Sequence, residues 1–298
     1  MEEFNIQDLK KLFIPESNSH KGQNGKLMII GGSKLFHAAS LWSLKVASRI
    51  VDMVFYSSVP ENNKIVQNAK EEFRNGIIIP RTKIADYISE ADCVLIGPGM
   101  PRKDGEEEGD GDTKSLTEDL LRRYPDKKWV IDGGSLQTID PNLIPQNAIL
   151  TPHLKEFEKL FNFKFQISNF KSNPNDQISR LPKPGTGGQA KIQNIVREKA
   201  KQYNCTILLK GPVDIVSDGE KTVQIPGGNA GMTKGGTGDV LAGLVAALYC
   251  KNEAFLSACS ASFINKKAGE SLFQKMGLYF NASDLADEIP VAMKKFID

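Results

Sequence analysis

The sequence has little sulfur and little histidine. Four cysteines (Cys93, Cys205, Cys250 and Cys259) are scattered over 298 residues with no CxxC pair, and there are only three histidines. That argues against a zinc framework and for a reducing compartment. Neither sign of charge is in excess: 38 Lys and Arg face 36 Asp and Glu, for a net charge of +2. A balance this even gives no electrostatic case for a nucleic-acid or membrane partner. No apolar run approaches the ~20 residues needed to span a bilayer. The opening "MEEFNIQDLKKLF" is acidic and then amphipathic, without the basic-then-apolar order of a signal peptide. These absences predict a cytoplasmic protein with no nucleic-acid partner and no membrane partner.

What is present is ordinary globular material, 40% hydrophobic and 25% charged. Short apolar runs alternate with stretches of helical spacing. "KLMII", "MVFYS", "GIIIP", "CVLI", "KWVI", "NAIL", "CTILL" and "VDIV" read as strands. "AASLWSLKVASRI", "DYISEAD", "TKSLTEDLLRRY" opened by Thr or Ser, "EFEKLF", "DVLAGLVAALYC", "EAFLSACSASFINKKAGESLF" and "NASDLADEIPVAMKKF" read as helices. The alternation predicts an α/β fold with a central, mostly parallel sheet and helices on both faces. No composition break divides the chain, so residues 1–298 are expected to form one domain. Two segments read as insertions. The first, 103–113, contains "DGEEEGDGD"; as a calcium loop begun at Asp104 it has Gly109 in the sixth place but Ser115 in the twelfth, where a glutamate is needed. A solvated loop fits it better. The second, 165–190, is polar and rich in Pro and Gly, and reads as a mobile surface excursion.

Glycine turns recur at the ends of the strands, at Gly31-Gly32, Gly97/Gly99 and Gly133-Gly134. In open α/β sheets that edge holds the ligands. The densest glycine stretch is "IPGGNAGMTKGGTGDVLAGLVAAL", with six glycines among the twelve residues Gly227–Gly238. It matches neither GxxxxGK[ST] nor GxGxxG. It does place flexible backbone against a helix start, where free N–H groups and the positive dipole end attract anions. Asp239 stands at that mouth. A carboxylate beside a phosphate can accept the proton of an attacking hydroxyl. The plainer alternative is a tight turn, with Asp239 only complementing the helix dipole.

"NAGMTKGGTGDVLAG" resembles the signature of ribokinase-like kinases, and more narrowly that of the ADP- or ATP-dependent NAD(P)H-hydrate dehydratases. "HKGQNGKLMIIGGS", "IGPGM", "TPHLKEF" and "LLKG" followed by "VDIV" resemble further elements of that family, in order, from His20 to Gly243. The resemblance covers only the dehydratase part of those relatives that also carry an epimerase domain. It implies a ribokinase-like fold and repair of NADH or NADPH to whose nicotinamide ring water has added (NADHX, NADPHX). The ring hydroxyl would be phosphorylated and then expelled as phosphate, with ADP or ATP as donor and Mg²⁺ beside it. The compact form points to ADP. Relatives commonly assemble as homo-oligomers.

Residue by residue, the resemblance makes Asp239 the base and the N–H groups of Gly236, Thr237 and Gly238 the anion hole. Lys210, Gly211, Pro212, Val213, Asp214, Asn229 and Gly238 would hold the nucleotide. Ala39, Gly99, His153 and Asp239 would meet the hydrated dinucleotide. Glu156 would orient Mg²⁺ through water or cap its helix. Several residues depart from the family pattern. Phe36 stands for a tyrosine, Ala38 for a glycine, Pro101 for a glycine, Gly134 for a second acid and Asp214 for a threonine. His37 reads as an exposed helix residue. Two rivals remain: a kinase for a pyrimidine or thiazole alcohol, and a nucleotide-binding regulator without catalysis.

Overall fold

The computed structural model describes residues 2–69, 75–102, 111–164 and 187–297. In chain order its strands and helices are β1 (Lys26–Ile30), α1 (His37–Ala47), β2 (Met53–Ser57), α2 (Pro60–Ala69), β3 (Ile77–Ile78), α3 (Ile84–Glu90), β4 (Cys93–Ile96), α4 (Thr113–Arg123), β5 (Lys128–Ile131), α5 (Gly133–Leu136), β6 (Ile149–Leu150), α6 (Leu154–Leu160), α7 (Gly187–Gln202), β7 (Thr206–Leu209), β8 (Asp214–Ser217), β9 (Thr222–Ile225), α8 (Thr237–Tyr249), α9 (Ala254–Met276) and α10 (Ala282–Ile297). The described strands form one nine-stranded sheet in the order β3-β2-β1-β4-β5-β6-β7-β8-β9. Pairs from β3 through β7 are parallel. The last two, β7–β8 and β8–β9, are antiparallel.

Burial follows from the pleat. Successive side chains of a strand point to opposite faces. In β1, Leu27 and Ile29 join one apolar cluster with residues of α1, α8, α9 and α10. Met28 and Ile30 join the other, with α3, α4, α6 and α7. Both faces are covered, which is why the strands read as continuous apolar runs. Helix α8 is buried along nearly its whole length, as its all-round apolar sequence requires. Gly243 lets α1 approach it closely; a side chain there would press on the Ser43 backbone.

The strand order reverses between β1 and β4. That is the switch point where an open sheet leaves a crevice at its carboxyl edge. At the far edge, β9 is covered by the N-terminal segment: Phe4 N–H donates to Gln224 O (3.1 Å) and Gln224 N–H to Glu2 O (3.0 Å). Covering an edge in this way blocks further strand pairing.

Several expectations need adjustment. α2 and β9 were not foreseen. α4 is opened by Asp112, whose carboxylate accepts from Lys114 and Ser115 N–H, rather than by Thr or Ser. Gly133-Gly134 begins the short helix α5 rather than a simple turn. Residues 165–186 and 103–110 lie outside the described residues, and with them the first seven residues of the acidic loop read against the calcium template. The tail of the second supposed insertion, from Gly187, is not a loop but the start of α7, with Gln189 buried. Pro290 sits inside α10. The carbonyl it leaves without a helical partner, that of Ala286, accepts from Arg49 Nη1 at 3.3 Å.

Candidate active site

Three elements bring ionisable groups together at the carboxyl edge. Asp132 follows β5. Lys210 follows β7, and a bridge between His153 and Lys210, with Lys210 N–H bonded to Pro152 O at 2.8 Å, extends the β6–β7 pairing into the site. Asp239 lies in the first turn of α8. The Lys210 ammonium donates to Asp132 Oδ1 at 2.9 Å and lies 3.9 Å from Glu156 Oε2. Thr151 Oγ1 donates to the same Asp132 oxygen at 2.7 Å. Burial alone would depress the Lys210 ammonium, but the Asp132 and Glu156 carboxylates hold it above its ordinary value. It is a fixed cation, placed directly over Gly238: a side chain added there would first meet Lys210 Nζ, at 3.6 Å.

Burial pushes the Asp239 carboxyl up to about 7; the Asp132 carboxylate adds to the rise and Lys210 opposes it. An acid poised near neutrality suits a general base. The helix start beside it is built with some care. Gly236 takes φ +93°, and a side chain there would collide with the Trp42 ring. Trp42 is itself tied through its indole N–H to Ser283 Oγ (3.1 Å), and Ser43 Oγ donates to Asp239 O (2.7 Å). Of the three anion-hole groups, the Thr237 N–H turns toward Lys234 O at 3.3 Å. Its hydroxyl donates to Met232 O (2.6 Å) and Lys234 O (2.9 Å). The Gly236 and Gly238 N–H groups have no bond to any described residue outside the helix.

His153 and Glu156 serve α6 as a reciprocal cap. His153 Nδ1 accepts from Glu156 N–H (3.2 Å), and Glu156 Oε2 accepts from His153 N–H (2.9 Å). The second Glu156 oxygen accepts from Gln137 Nε2 at 3.1 Å. Desolvation, reinforced by Lys210, lowers the imidazole to about 4. The ring is neutral at ordinary pH. Because Nδ1 is an acceptor, the proton sits on Nε2. Burial raises the Glu156 carboxyl. Among the described residues, no group of three or more His, Cys, Asp and Glu could cage a metal ion.

Beside Lys210 and Gly238 opens a cavity of about 490 Å³. Of the residues expected to hold a nucleotide, Lys210, Gly211, Pro212, Asp214, Asn229 and Gly238 line it. Val213 is not among its lining residues. Asp214 is largely occupied with the fold. It accepts from Gly211 N–H (2.8 Å) and Ser262 Oγ (2.7 Å), and lies 3.4 Å from Lys266 Nζ. Lys266 was missed in the sequence. Buried on α9, it donates to the carbonyls of Gly211 (3.1 Å), Pro212 (3.2 Å) and Gly227 (3.3 Å), and so ties two loops of the cavity together.

Ala39 and Gly99 lie apart from that cavity, at the β1/β4 crevice. Gly99 has φ +68°, and a side chain there would lie 2.5 Å from Phe36 O and 2.9 Å from Ala39 Cβ. Below, Ser40, Tyr56, Asn62 and Ser58 form a buried polar network that leaves no room for a side chain at Gly32. The structure also explains Gly134. A side chain at that position would run into Met100 O, so this backbone admits no second acid. His37 is exposed, and Phe36 is half-exposed.

Asp132 was the main omission. Its position, last before a glycine pair at the end of a strand, was a signal available in the sequence.

This geometry has relatives. The family model for NAD(P)H-hydrate dehydratase matches residues 27–291. A bifunctional NAD(P)H-hydrate repair enzyme of Methanocaldococcus jannaschii is 37% identical over 97% of this chain, which spans 52% of that longer protein. An ADP-dependent (S)-NAD(P)H-hydrate dehydratase of Nitrosopumilus maritimus is 36% identical over 97% of this chain and 96% of its own length. An ADP/ATP-dependent NAD(P)H-hydrate dehydratase of Bacillus subtilis, co-crystallised with ATP and Mg²⁺, superposes with a TM-score of 0.74 at 20% identity, covering 99% of this chain and 98% of its own. A ribokinase-like superfamily protein of Enterococcus faecalis superposes with a TM-score of 0.74 at 18% identity, covering 99% of this chain and 96% of its own, so the fold is ribokinase-like. No described helix is long and apolar enough to cross a membrane. By the extent of these matches, the chain belongs to the NAD(P)H-hydrate dehydratase family.

Proposed function

We propose that this chain uses an adenine nucleotide, ADP in preference to ATP, to dehydrate hydrated NADH or NADPH. The observation that carries the reading is the meeting of one poised carboxyl, Asp239, and one fixed cation, Lys210, at a glycine-built helix start beside a cavity of nucleotide size.

The chemistry follows from these groups. The nucleotide lies in the cavity with its terminal phosphate at the start of α8. Lys210 and the N–H groups of Gly236 and Gly238 face its oxygens, where donors aimed at developing charge are each worth ~3–4 kcal/mol. The hydrated ring enters from the β1/β4 crevice, against Ala39 and Gly99. His153 offers its Nε2–H to the dinucleotide. Asp239 takes the proton of the ring hydroxyl as its oxygen attacks phosphorus. The nucleotide leaves one phosphate shorter, as AMP from ADP or ADP from ATP. The ring nitrogen lone pair then expels phosphate, and loss of a proton from the neighbouring carbon restores the ring double bond.

Magnesium fits as a companion of the nucleotide's phosphates, since no group of three or more His, Cys, Asp and Glu among the described residues would cage it. Glu156, whose two oxygens each accept one hydrogen bond, would help to orient it through water. When bound, it would neutralise phosphate charge.

The test mixes the protein with hydrated NADH and ADP or ATP and follows the return of dihydronicotinamide absorbance. Recovery that vanishes in Asp239→Asn supports the reading. Absence of recovery with either nucleotide rejects it, and turnover confined to pyrimidine or thiazole alcohols would point to a kinase instead.

A further inference from the structure

The nucleotide cavity has one wall that neither the reaction nor the loop-tying role of Lys266 explains. Asn265, on α9, lines the cavity and is only 4% exposed. Its Oδ1 is buried and has no hydrogen-bond partner. A buried acceptor left unpaired is costly, and native structures seldom tolerate one without a use. The neighbouring side chain, Lys266, is fully engaged by three carbonyls, so it cannot supply the missing bond.

Lys210 and Gly238 line the cavity and would meet the phosphates; Leu241, Met232 and Pro212 also line it and offer apolar surface to a flat ring. An amide carries an acceptor and a donor side by side, and rotation of the group exchanges them. Adenine carries the complement: an amino donor beside a ring-nitrogen acceptor. This is the pairing by which Asn and Gln read adenine.

We propose that Asn265 is the residue that reads the nucleotide base, pairing its side-chain amide with the amino group and adjacent ring nitrogen of adenine. The inference rests on the cavity being the nucleotide site, as set out above. It makes base identity, rather than the phosphates, the property that α9 senses.

The experiment is a cycle of two proteins and two ligands. Calorimetry, without hydrated dinucleotide, measures binding of ADP and of purine riboside diphosphate, which lacks only the amino group. In the unaltered protein ADP should bind about tenfold or more tighter than the deaminated analogue. In Asn265→Ala and in the similarly sized Asn265→Leu, ADP should weaken about 10- to 100-fold and the preference should shrink to near unity. Melting temperatures establish that each variant is folded. If neither variant folds, the preference in the unaltered protein decides alone, and no preference overturns the proposal. A preference that survives in a folded variant also overturns it. Discrimination that depends on Asn265 without any dehydration would keep the proposal and reject the proposed reaction; dehydration with an unchanged preference in the variants would do the reverse.

Discussion

The two halves of the proposed site are made of different materials. At the ends of β1 and β4 the groups facing the crevice are backbone and small side chains: Gly31, Gly32, Gly99 and Ala39, with hydroxyls and one amide beneath. At the ends of β5, β6 and β7, and at the start of α8, five ionisable groups gather: Asp132, His153, Glu156, Lys210 and Asp239. On the proposed function, one half would select by shape and the other would work by charge. The difference teaches where each kind of damage should register. Loss of fit should appear as substrate KM, and loss of charge as turnover.

The sharpest break of that contrast is Asp239→Asn. It removes the proton acceptor and should lower kcat about 10²- to 10⁴-fold while leaving ADP affinity in calorimetry nearly intact. Lys210→Met should follow, with a loss of about 10²- to 10³-fold in kcat/KM and a weaker grip on ADP. On the crevice side, Gly99→Ala places a methyl 2.5 Å from Phe36 O in a left-handed conformation. It should raise KM for hydrated NADH on the order of 10-fold or more with ADP affinity unchanged. An equal loss of ADP binding would erase the distinction between the halves.

The pH dependence sharpens it further. As the proposed base, Asp239 would have to be ionised, and its carboxyl is raised to about 7. The rate should therefore climb with pH through about 7 and then level off. Asp132→Asn removes a negative neighbour and releases Lys210, and both changes favour the ionised form. The acid limb should move down by roughly half a unit to one unit.

The smallest effect concerns stability, and its sign is opposite to the usual carboxylate. Because the folded-state value lies above the unfolded one, the folded chain holds an extra proton between about 4 and 7. Stability from this group is present below that window and is lost as pH rises through about 7. Asp239→Asn should thus melt about 2–4 °C above the unaltered protein at pH 8, with the gap closing as the pH falls toward 4.

Much of the architecture was legible because strands buried on both faces must be apolar throughout, and the glycines at their ends marked the working edge. β9 escaped because "TVQI" is short and half polar, and α2 because "PENNKIVQNA" has only two large apolar residues among its ten. The cap of α4 was hidden in a run of acids, where any Asp looks solvated. In the site, Asp239, Lys210 and His153 could be read because their motifs are local. Asp132 carried a signal that went unread, its place before a glycine pair at a strand end. Lys266 could not be read, since its meaning depends on carbonyls 39 to 55 residues away, nor could Asn265, whose place in the cavity wall comes only from the fold. Gly134 looked like a lost function and is instead a packing requirement.

The Lys266 ammonium fastens the two loops around the cavity through the chain's own carbonyls. A guest therefore finds a mould already set, and the chain forfeits little freedom when it arrives. Nucleotide association should be quick and nearly free of backbone rearrangement. Cutting that fastening would turn the same pocket into one that must be assembled anew each time it fills.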